Sequence, residues 1–252
     1  MTDTNSNQNY VPKNLRVDYT PVWNVPKNYL TGFIAQSRSS YIDSKASDYN
    51  RQQADADMAL LAYTTTELSA MVKQGDKIIL IVPVALATLE LSPFRNNFIQ
   101  YARTIPEDVR SLMVLKIVNI PEGFPVHKLQ DILRDPSTLM RSLIISTDMR
   151  QKKYDVLANC RIHAYSASLT DAPASETKSF EQVGRFAELT QLSKHASMLE
   201  DISNRSLLGA LIGAGITYVS GSAVQTPQSS LDIIRPFNLA EVYQVDNKDV
   251  PA

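Results

Sequence analysis

Apolar runs with the composition of buried β-strands alternate with helical segments along most of this chain. The run at residues 76–86, "DKIILIVPVAL", shows no polar–apolar alternation, which is typical of a strand buried on both faces of a parallel sheet. After a first hairpin at residues 17–35, strand and helix alternate about seven times, which indicates an α/β protein. Seven or eight such units in about 240 residues favour a TIM-type (β/α) barrel over a doubly wound sheet.

The predicted barrel occupies residues 15–245, and its first two strands form an antiparallel hairpin. Residues 1–14 are polar and rich in asparagine, so we predict a disordered tail, and residues 246–252 form a C-terminal tail. The helix that begins at residue 125 is predicted to stop before Pro136, because proline cannot donate the next helical hydrogen bond. Residues 229–234 are predicted to form a short final helix.

Composition and charge exclude several classes of protein. The formal net charge is −1, which gives no indication of a nucleic acid partner. The single cysteine, Cys160, excludes an internal disulfide, and we interpret it as a buried, unreactive thiol. The first ten residues do not resemble a signal peptide, and the longest apolar run is too short to span a bilayer. We therefore expect a cytoplasmic protein without a membrane span.

The sequence lacks the common motifs for cofactors and hydrolytic chemistry. Neither GxGxxG nor GxxxxGK[ST] occurs, so no phosphate-binding loop is predicted, and no GxSxG elbow is present. The histidines at positions 127, 163 and 195 form no HxH or HExxH pair. We predict no cofactor and no zinc site.

Active sites of TIM-type barrels lie where the strands end, so polar residues at the predicted strand ends are the candidate site. Only two of these strand ends offer carboxylates: one carries Asp148, and the other carries Glu200 with Asp201 beside it. The cationic side chains of Lys116, Arg150 and Arg161 are expected close to them. We interpret this set as an ion-paired network without a metal. The inspected positions are Ala35, Gln36, Arg38, Pro83, Ala85, Lys116, Asn119, Thr147, Asp148, Arg150, Arg161, His163, Glu200, Asp201, Ser203, Ser220 and Ser222.

The order of these strand-end motifs resembles the EAL domain, the cyclic-di-GMP phosphodiesterase barrel of bacteria, over about residues 17–243. The segment "YTPVWNVPKNYLTGFIAQSR" is similar to the opening hairpin of the family and keeps its glycine, alanine and arginine as Gly32, Ala35 and Arg38. The segments "MLEDIS" and "GAGITYVSG" resemble the last two strands, with Glu200 retained. Their spacing is the most specific part of the resemblance.

The resemblance also implies that the metal site of the family has degenerated. Four positions that carry metal ligands in the family carry other residues here: Ile34, Pro83, Lys116 and Thr147. Asp148 is retained, Arg150 replaces a glycine, Ser203 replaces a glutamate and Ser220 replaces a glutamine, while Arg161 falls near the position of a catalytic lysine. Because the family hydrolyses its substrate with two divalent cations, we expect no phosphodiesterase activity and assign no catalytic or metal-binding residue.

Three functional hypotheses follow. The first is a non-catalytic regulatory or scaffold protein that acts through protein–protein interaction in bacterial signalling. The second is a cyclic-di-GMP receptor without hydrolysis, in which Arg38, Lys116, Asp148, Arg150 and Glu200 bind the ligand. In this hypothesis Lys116, Arg150 and Arg161 replace the charge of the metal ions. The third is an unrelated enzyme on the same barrel, since a fold does not fix a function. The resemblance adds the expectation of a homodimer.

Overall fold

The computed structural model describes residues 15–38, 47–151, 157, 160–169, 176–232 and 234–244. Both predicted tails lie outside these ranges. A short helix that the sequence suggests at residues 152–158 also falls outside them, apart from Leu157.

Eight strands form a closed barrel in sequence order, which confirms the predicted TIM-type fold. Strands β1 and β2 form the predicted antiparallel hairpin, and β1 also pairs antiparallel with β8. All the other neighbours are parallel. The strands are β1 Val17–Asn24, β2 Tyr29–Ser37, β3 Ile79–Ala85, β4 Met113–Val118, β5 Ser142–Ser146, β6 Ile162–Ser168, β7 Ala196–Glu200 and β8 Tyr218–Ser220.

Described helices lie between most of the successive parallel strands and cover the outer face of the barrel. The apolar side chains between this layer and the strands form the larger of two buried clusters. The helices are α1 Tyr49–Gln74, α2 Leu86–Glu90, α3 Ser92–Thr104, α4 Glu107–Arg110, α5 Val126–Leu139, α6 Glu176–Leu192, α7 Arg205–Gly213 and α8 Leu239–Gln244. None of them, over the ranges described, is both long and apolar enough to cross a bilayer.

A separate apolar cluster fills the interior of the barrel. The first seven strands each contribute one side chain to it: Val22, Ile34, Ile81, Val114, Ile144, Ala164 and Met198. Side chains two residues apart on a strand point to the same face, so the next interior positions on β4 and β7 are Lys116 and Glu200. The apolar layer therefore forms the floor beneath a polar layer at the carboxyl ends of the strands.

Two predictions about helices are wrong: one helix ends later than expected, and another is absent from its predicted place. Helix α5 continues past Pro136 to Leu139, because this proline removes only one backbone donor in the last turns of the helix. The hydroxyl of Ser137 donates to the carbonyl of Arg134, and the N–H of Met140 donates to the carbonyl of Pro136. Residues 229–232 form no helix, and the last helix lies later, at Leu239–Gln244.

A buried carboxylate joins α1 to the carboxyl end of β3. Asp57, which is 6% exposed, accepts hydrogen bonds from the N–H of Ala85 at 2.9 Å, the hydroxyl of Thr88 at 2.6 Å and the amide of Gln53 at 2.8 Å. Burial raises the pKa of Asp57 to about 6, although these hydrogen bonds favour the charged form. This link fixes the start of α2 at the end of the barrel where the candidate site lies.

Replacing this carboxylate should change how stability depends on pH. Because the pKa of Asp57 is higher in the folded chain than in the unfolded one, the carboxylate destabilises the fold as pH rises from about 4 to about 6. We expect Asp57→Asn to become more stable relative to the native protein by about 2–3 kcal/mol between pH 4 and pH 7. Urea unfolding at several pH values measures this, and a pH-independent difference would contradict it.

Candidate functional site

An ion pair crosses the barrel at the carboxyl ends of its strands. The Nζ atom of Lys116 on β4 lies 2.5 Å from Oε2 of Glu200 on β7, and these two strands are separated by β5 and β6. The side chains are 13% and 6% exposed, respectively. Lys116 therefore extends over the apolar floor to reach a carboxylate on a strand that is not its neighbour.

The two charges depend on each other because both lie largely out of water. A carboxylate without a partner in such a place would lose most of its hydration without compensation. The buried hydroxyl of Ser166, on the neighbouring strand β6, is neutral and has no hydrogen-bond partner among the described residues. Lys116 is thus the cation that compensates Glu200, in the place where the resemblance implies a metal ligand.

Two further ion pairs lie at the same carboxyl-terminal mouth of the barrel. Arg38, which directly follows β2, pairs with Asp18 of β1 and is 57% exposed. Arg150 pairs with Asp148, and both its backbone N–H and its guanidinium donate to that carboxylate. These hydrogen bonds hold the pKa of Asp148 below its usual range.

The remaining predicted metal positions carry no acidic group. Ile34 belongs to the apolar floor, in register with Ile81. Pro83 lies beside Lys116 in the β3–β4 register, and its ring offers neither donor nor acceptor. Thr147 follows β5 and donates its N–H to the carbonyl of Ser166 at 2.8 Å.

These residues do not fit a pair of divalent cations. Hard cations need several converging oxygen ligands, usually with more than one carboxylate. The ammonium group of Lys116 already occupies the position next to Glu200 and would repel a metal ion. In the described parts of the chain no group of three histidine, cysteine or acidic residues is arranged to hold a metal.

The structure corrects the placement of Arg161 and His163. Strand β6 starts at Ile162, so both residues lie at its beginning, and the sequence analysis wrongly placed them at the carboxyl end. They line a cavity at the opposite mouth of the barrel. Arg161 therefore cannot occupy the position of a catalytic lysine at the carboxyl ends of the strands. The mistake arose because the polar residues before and after a parallel strand look alike in sequence.

The other inspected residues make local contacts. Asp201, which follows β7, accepts a hydrogen bond of 2.6 Å from the hydroxyl of Ser168. Ser220 is buried at the end of β8, whereas Ser203 is exposed. Cys160 is half-buried, its thiol lies 3.8 Å from the carbonyl of Gln130, and burial raises its pKa.

Solved structures share this architecture. An EAL domain protein from Listeria monocytogenes matches with a TM-score of 0.63 at 13% identity, over 93% of each chain. The EAL domain of Xanthomonas citri FimX, in complex with c-diGMP, has a TM-score of 0.62 at 16% identity, over 86% of this chain and 88% of that one. The fold is that of an EAL domain.

A third similar structure extends beyond this chain. The Bacillus subtilis YkuI protein, with an EAL domain and in complex with substrate c-di-GMP and calcium, matches at 13% identity with a TM-score of 0.69. The match covers 96% of this chain and 62% of that one. No protein-family model and no curated protein matches this sequence. At these identities the likeness establishes the EAL-type fold alone.

Proposed function

We propose that this protein is a non-catalytic member of the EAL type that acts through protein–protein interaction in bacterial cyclic-di-GMP signalling. The ion pair between Lys116 and Glu200 is the main support, because it places an ammonium group where hydrolysis would require a cation site. The solved EAL structures with bound c-di-GMP support the signalling context.

Charge favours this proposal over hydrolysis. Metal-dependent hydrolysis of a phosphodiester uses cations to generate hydroxide and to neutralise the charge that develops on the phosphate. An ammonium group can attract a phosphate, but it cannot bind water and lower its pKa as a metal ion does. Among the described residues, Glu200 is the one buried carboxylate inside the barrel at this mouth, and it is already paired; the buried Asp57 belongs to the outer helix α1.

The receptor hypothesis has weaker support from the geometry. Arg38 was expected to contact a phosphate, and Lys116 and Arg150 to replace the charge of the metal ions, but each of the three is already paired with a carboxylate. Arg161, the third expected replacement, lies at the opposite mouth. To bind a phosphate, these cations would have to leave their carboxylates. If the ion pairs stayed intact, the carboxylates would repel the phosphate. An unrelated enzyme activity on this barrel stays a third alternative.

An activity assay and a binding assay test the proposal together. We expect no linear product when the purified protein is incubated with cyclic-di-GMP and Mg²⁺ or Mn²⁺, and no heat of binding in calorimetry with the same ligand. An active EAL phosphodiesterase is the positive control. Hydrolysis well above the buffer rate would disprove the loss of catalysis, since it would mean that a metal displaces Lys116.

Calorimetry also separates the scaffold from the receptor. Micromolar binding that Arg38→Ala weakens, while Arg103→Ala on the outer helix α3 leaves it unchanged, would favour the receptor. A flat trace combined with a partner that co-purifies from the native host in stoichiometric amounts, and that captures this protein in return, would favour the scaffold.

A further inference from the structure

An open cavity lies at the amino-terminal mouth of the barrel, opposite the site described above. It has a volume of about 830 Å³, within the range typical of pockets that hold small molecules. This end of a TIM-type barrel is usually a packed structural face. The lining of the cavity includes Gly32 of β2 and Ser142 at the start of β5.

The inner wall of the cavity is apolar. The underside of the floor layer forms it: Ile81, Val114, Ile144 and Met198, from four different strands, are among its lining residues, and Ile79 adds to it at the start of β3. Such a surface favours the apolar body of a ligand, because burying it removes apolar area from water.

The rim is strongly cationic. Four cationic side chains line the cavity, and Glu107 is the one carboxylate among its lining residues. The cations come from separate elements: the β1–β2 turn, the end of α4 and the starts of β5 and β6. They are Lys27, Arg110, Arg141 and Arg161.

Two of these arginines are held in place by the backbone. Arg141 donates to the carbonyl of Ser111 at 3.2 Å, and Arg161 donates to the carbonyl of Thr138 at 3.0 Å. Arg141 directly precedes β5 and Arg161 directly precedes β6, and these two strands are neighbours in the barrel. The N–H of Leu143 on β5 donates to the carbonyl of Arg161, which keeps the two arginines on adjacent strands at this mouth. Each guanidinium has five N–H donors, so most of these remain available after one carbonyl contact.

None of these four cations forms an ion pair with a carboxylate among the described residues, and Glu107 alone brings a negative charge to the lining. The ion pairs within the described ranges do not include Lys27, Arg110, Arg141 or Arg161. Clustered cations around a pocket attract anions and strengthen their binding when water is partly excluded. Arginine suits carboxylate and phosphate in particular, because its planar fork matches their pairs of oxygens.

The wall between rim and floor adds a neutral polar pair. Nε2 of His163 lies 2.8 Å from the hydroxyl of Tyr218, and their rings are 5.5 Å apart. Solvent in the cavity reaches His163, but partial removal from water lowers the pKa of this imidazole. The positive charge of Arg141 lowers this pKa further. The histidine therefore offers hydrogen bonding at neutral pH, and the positive charge comes from the rim.

We propose that the amino-terminal mouth of this barrel binds a small amphiphilic anion, whose carboxylate or phosphate head group contacts Arg141 and Arg161 and whose apolar body lies against the floor at Ile144 and Met198. This inference is independent of the proposed scaffold function, because it concerns the opposite end of the barrel.

Four probes test the proposal by isothermal titration calorimetry with the full chain. Octanoate and octyl phosphate carry both parts of the ligand, octan-1-ol lacks the charge, and inorganic phosphate lacks the apolar body. We expect at least one of the two amphiphilic anions to bind, and octan-1-ol and inorganic phosphate to bind at least tenfold more weakly. The stronger of the two anions identifies the preferred head group. Equal affinity for octanoate, octyl phosphate and octan-1-ol, or no binding of either anion, would overturn the proposal.

Variants locate the binding. Arg141→Gln/Arg161→Gln removes two rim charges and should weaken the better anion at least tenfold. Arg51→Gln/Arg103→Gln removes the same charge from α1 and α3, outside the cavity, and should leave affinity unchanged. Circular dichroism confirms that both variants fold. Equal affinity in the two double variants would place the ligand elsewhere and overturn the proposal.

A methyl resonance gives a readout that does not depend on these variants. In protein labelled with ¹³C at the methionine methyl groups, the better anion should shift the signal of Met198, which lines the cavity, and not that of Met58, which packs in the outer core. Met198→Leu assigns the signal. A shift at Met58 without one at Met198 would overturn the proposal.

Discussion

Replacing Lys116 by methionine should lower the free energy of unfolding by about 3–5 kcal/mol, because it leaves the carboxylate of Glu200 buried without a partner. Methionine keeps the length and apolar stem of the lysine, so the variant removes the charge with little change in packing. Urea unfolding followed by circular dichroism at neutral pH measures the effect.

The chain contains a matched control for this prediction. Lys128 lies 2.5 Å from Glu90, the same distance as in the buried pair, but these side chains are 51% and 32% exposed. Exposed ion pairs contribute little, so Lys128→Met should cost no more than about 1 kcal/mol. Equal losses in the two variants would mean that Glu200 does not depend on Lys116.

A double variant separates the two possible causes of the loss. Lys116→Met/Glu200→Leu removes both charges, and we expect it to be more stable than Lys116→Met alone, because no buried charge remains unpaired. A double variant less stable than the single variant would indicate that packing, and not the unpaired carboxylate, accounts for the loss.

Gly221→Ala should destabilise the fold by about 3–5 kcal/mol, because strain and overlap act together. Gly221 directly follows β8 and has a φ of 132°, a conformation that residues with a side chain rarely adopt. A Cβ atom there would lie 2.3 Å from the backbone nitrogen of Ile202 and 2.5 Å from its carbonyl oxygen. The same unfolding experiment measures the loss.

Gly209→Ala is the control for Gly221→Ala. Gly209 lies in the middle of α7, and a Cβ atom added there would meet nothing within 4 Å. Alanine has a higher helix propensity than glycine, so this variant should gain up to about 1 kcal/mol. A loss of stability at both positions would show that the effect does not come from the contact with Ile202.

The sequence predicted the barrel because each strand signal is local. The uninterrupted apolar run around β3 and the hairpin of β1 and β2 can be recognised within a few residues of each segment. The boundaries of the helices were predicted less reliably. Helix α5 contains Pro136, because a proline in the last turns of a helix removes only one backbone donor. The motifs around Lys116 and Glu200 identified both residues as candidates at the strand ends.

The pairing at the site could not be predicted from the sequence. Lys116 and Glu200 are 84 residues apart, and their contact depends on the register and tilt of four strands. The cationic mouth was missed for another reason: residues such as Arg141 and Arg161, which directly precede strands, look like solvated surface charges. Examining strand beginnings as well as strand ends would have found them.

The ion pair across the barrel also bears on how this chain could evolve. A carboxylate introduced at position 116 would face Glu200 at the same mouth, and two acidic groups there would repel each other until a metal ion bound. Single substitutions toward a metal site would therefore pass through less stable proteins, so selection for folding alone would tend to keep the lysine. The lysine thus opposes the evolution of a metal site at this mouth.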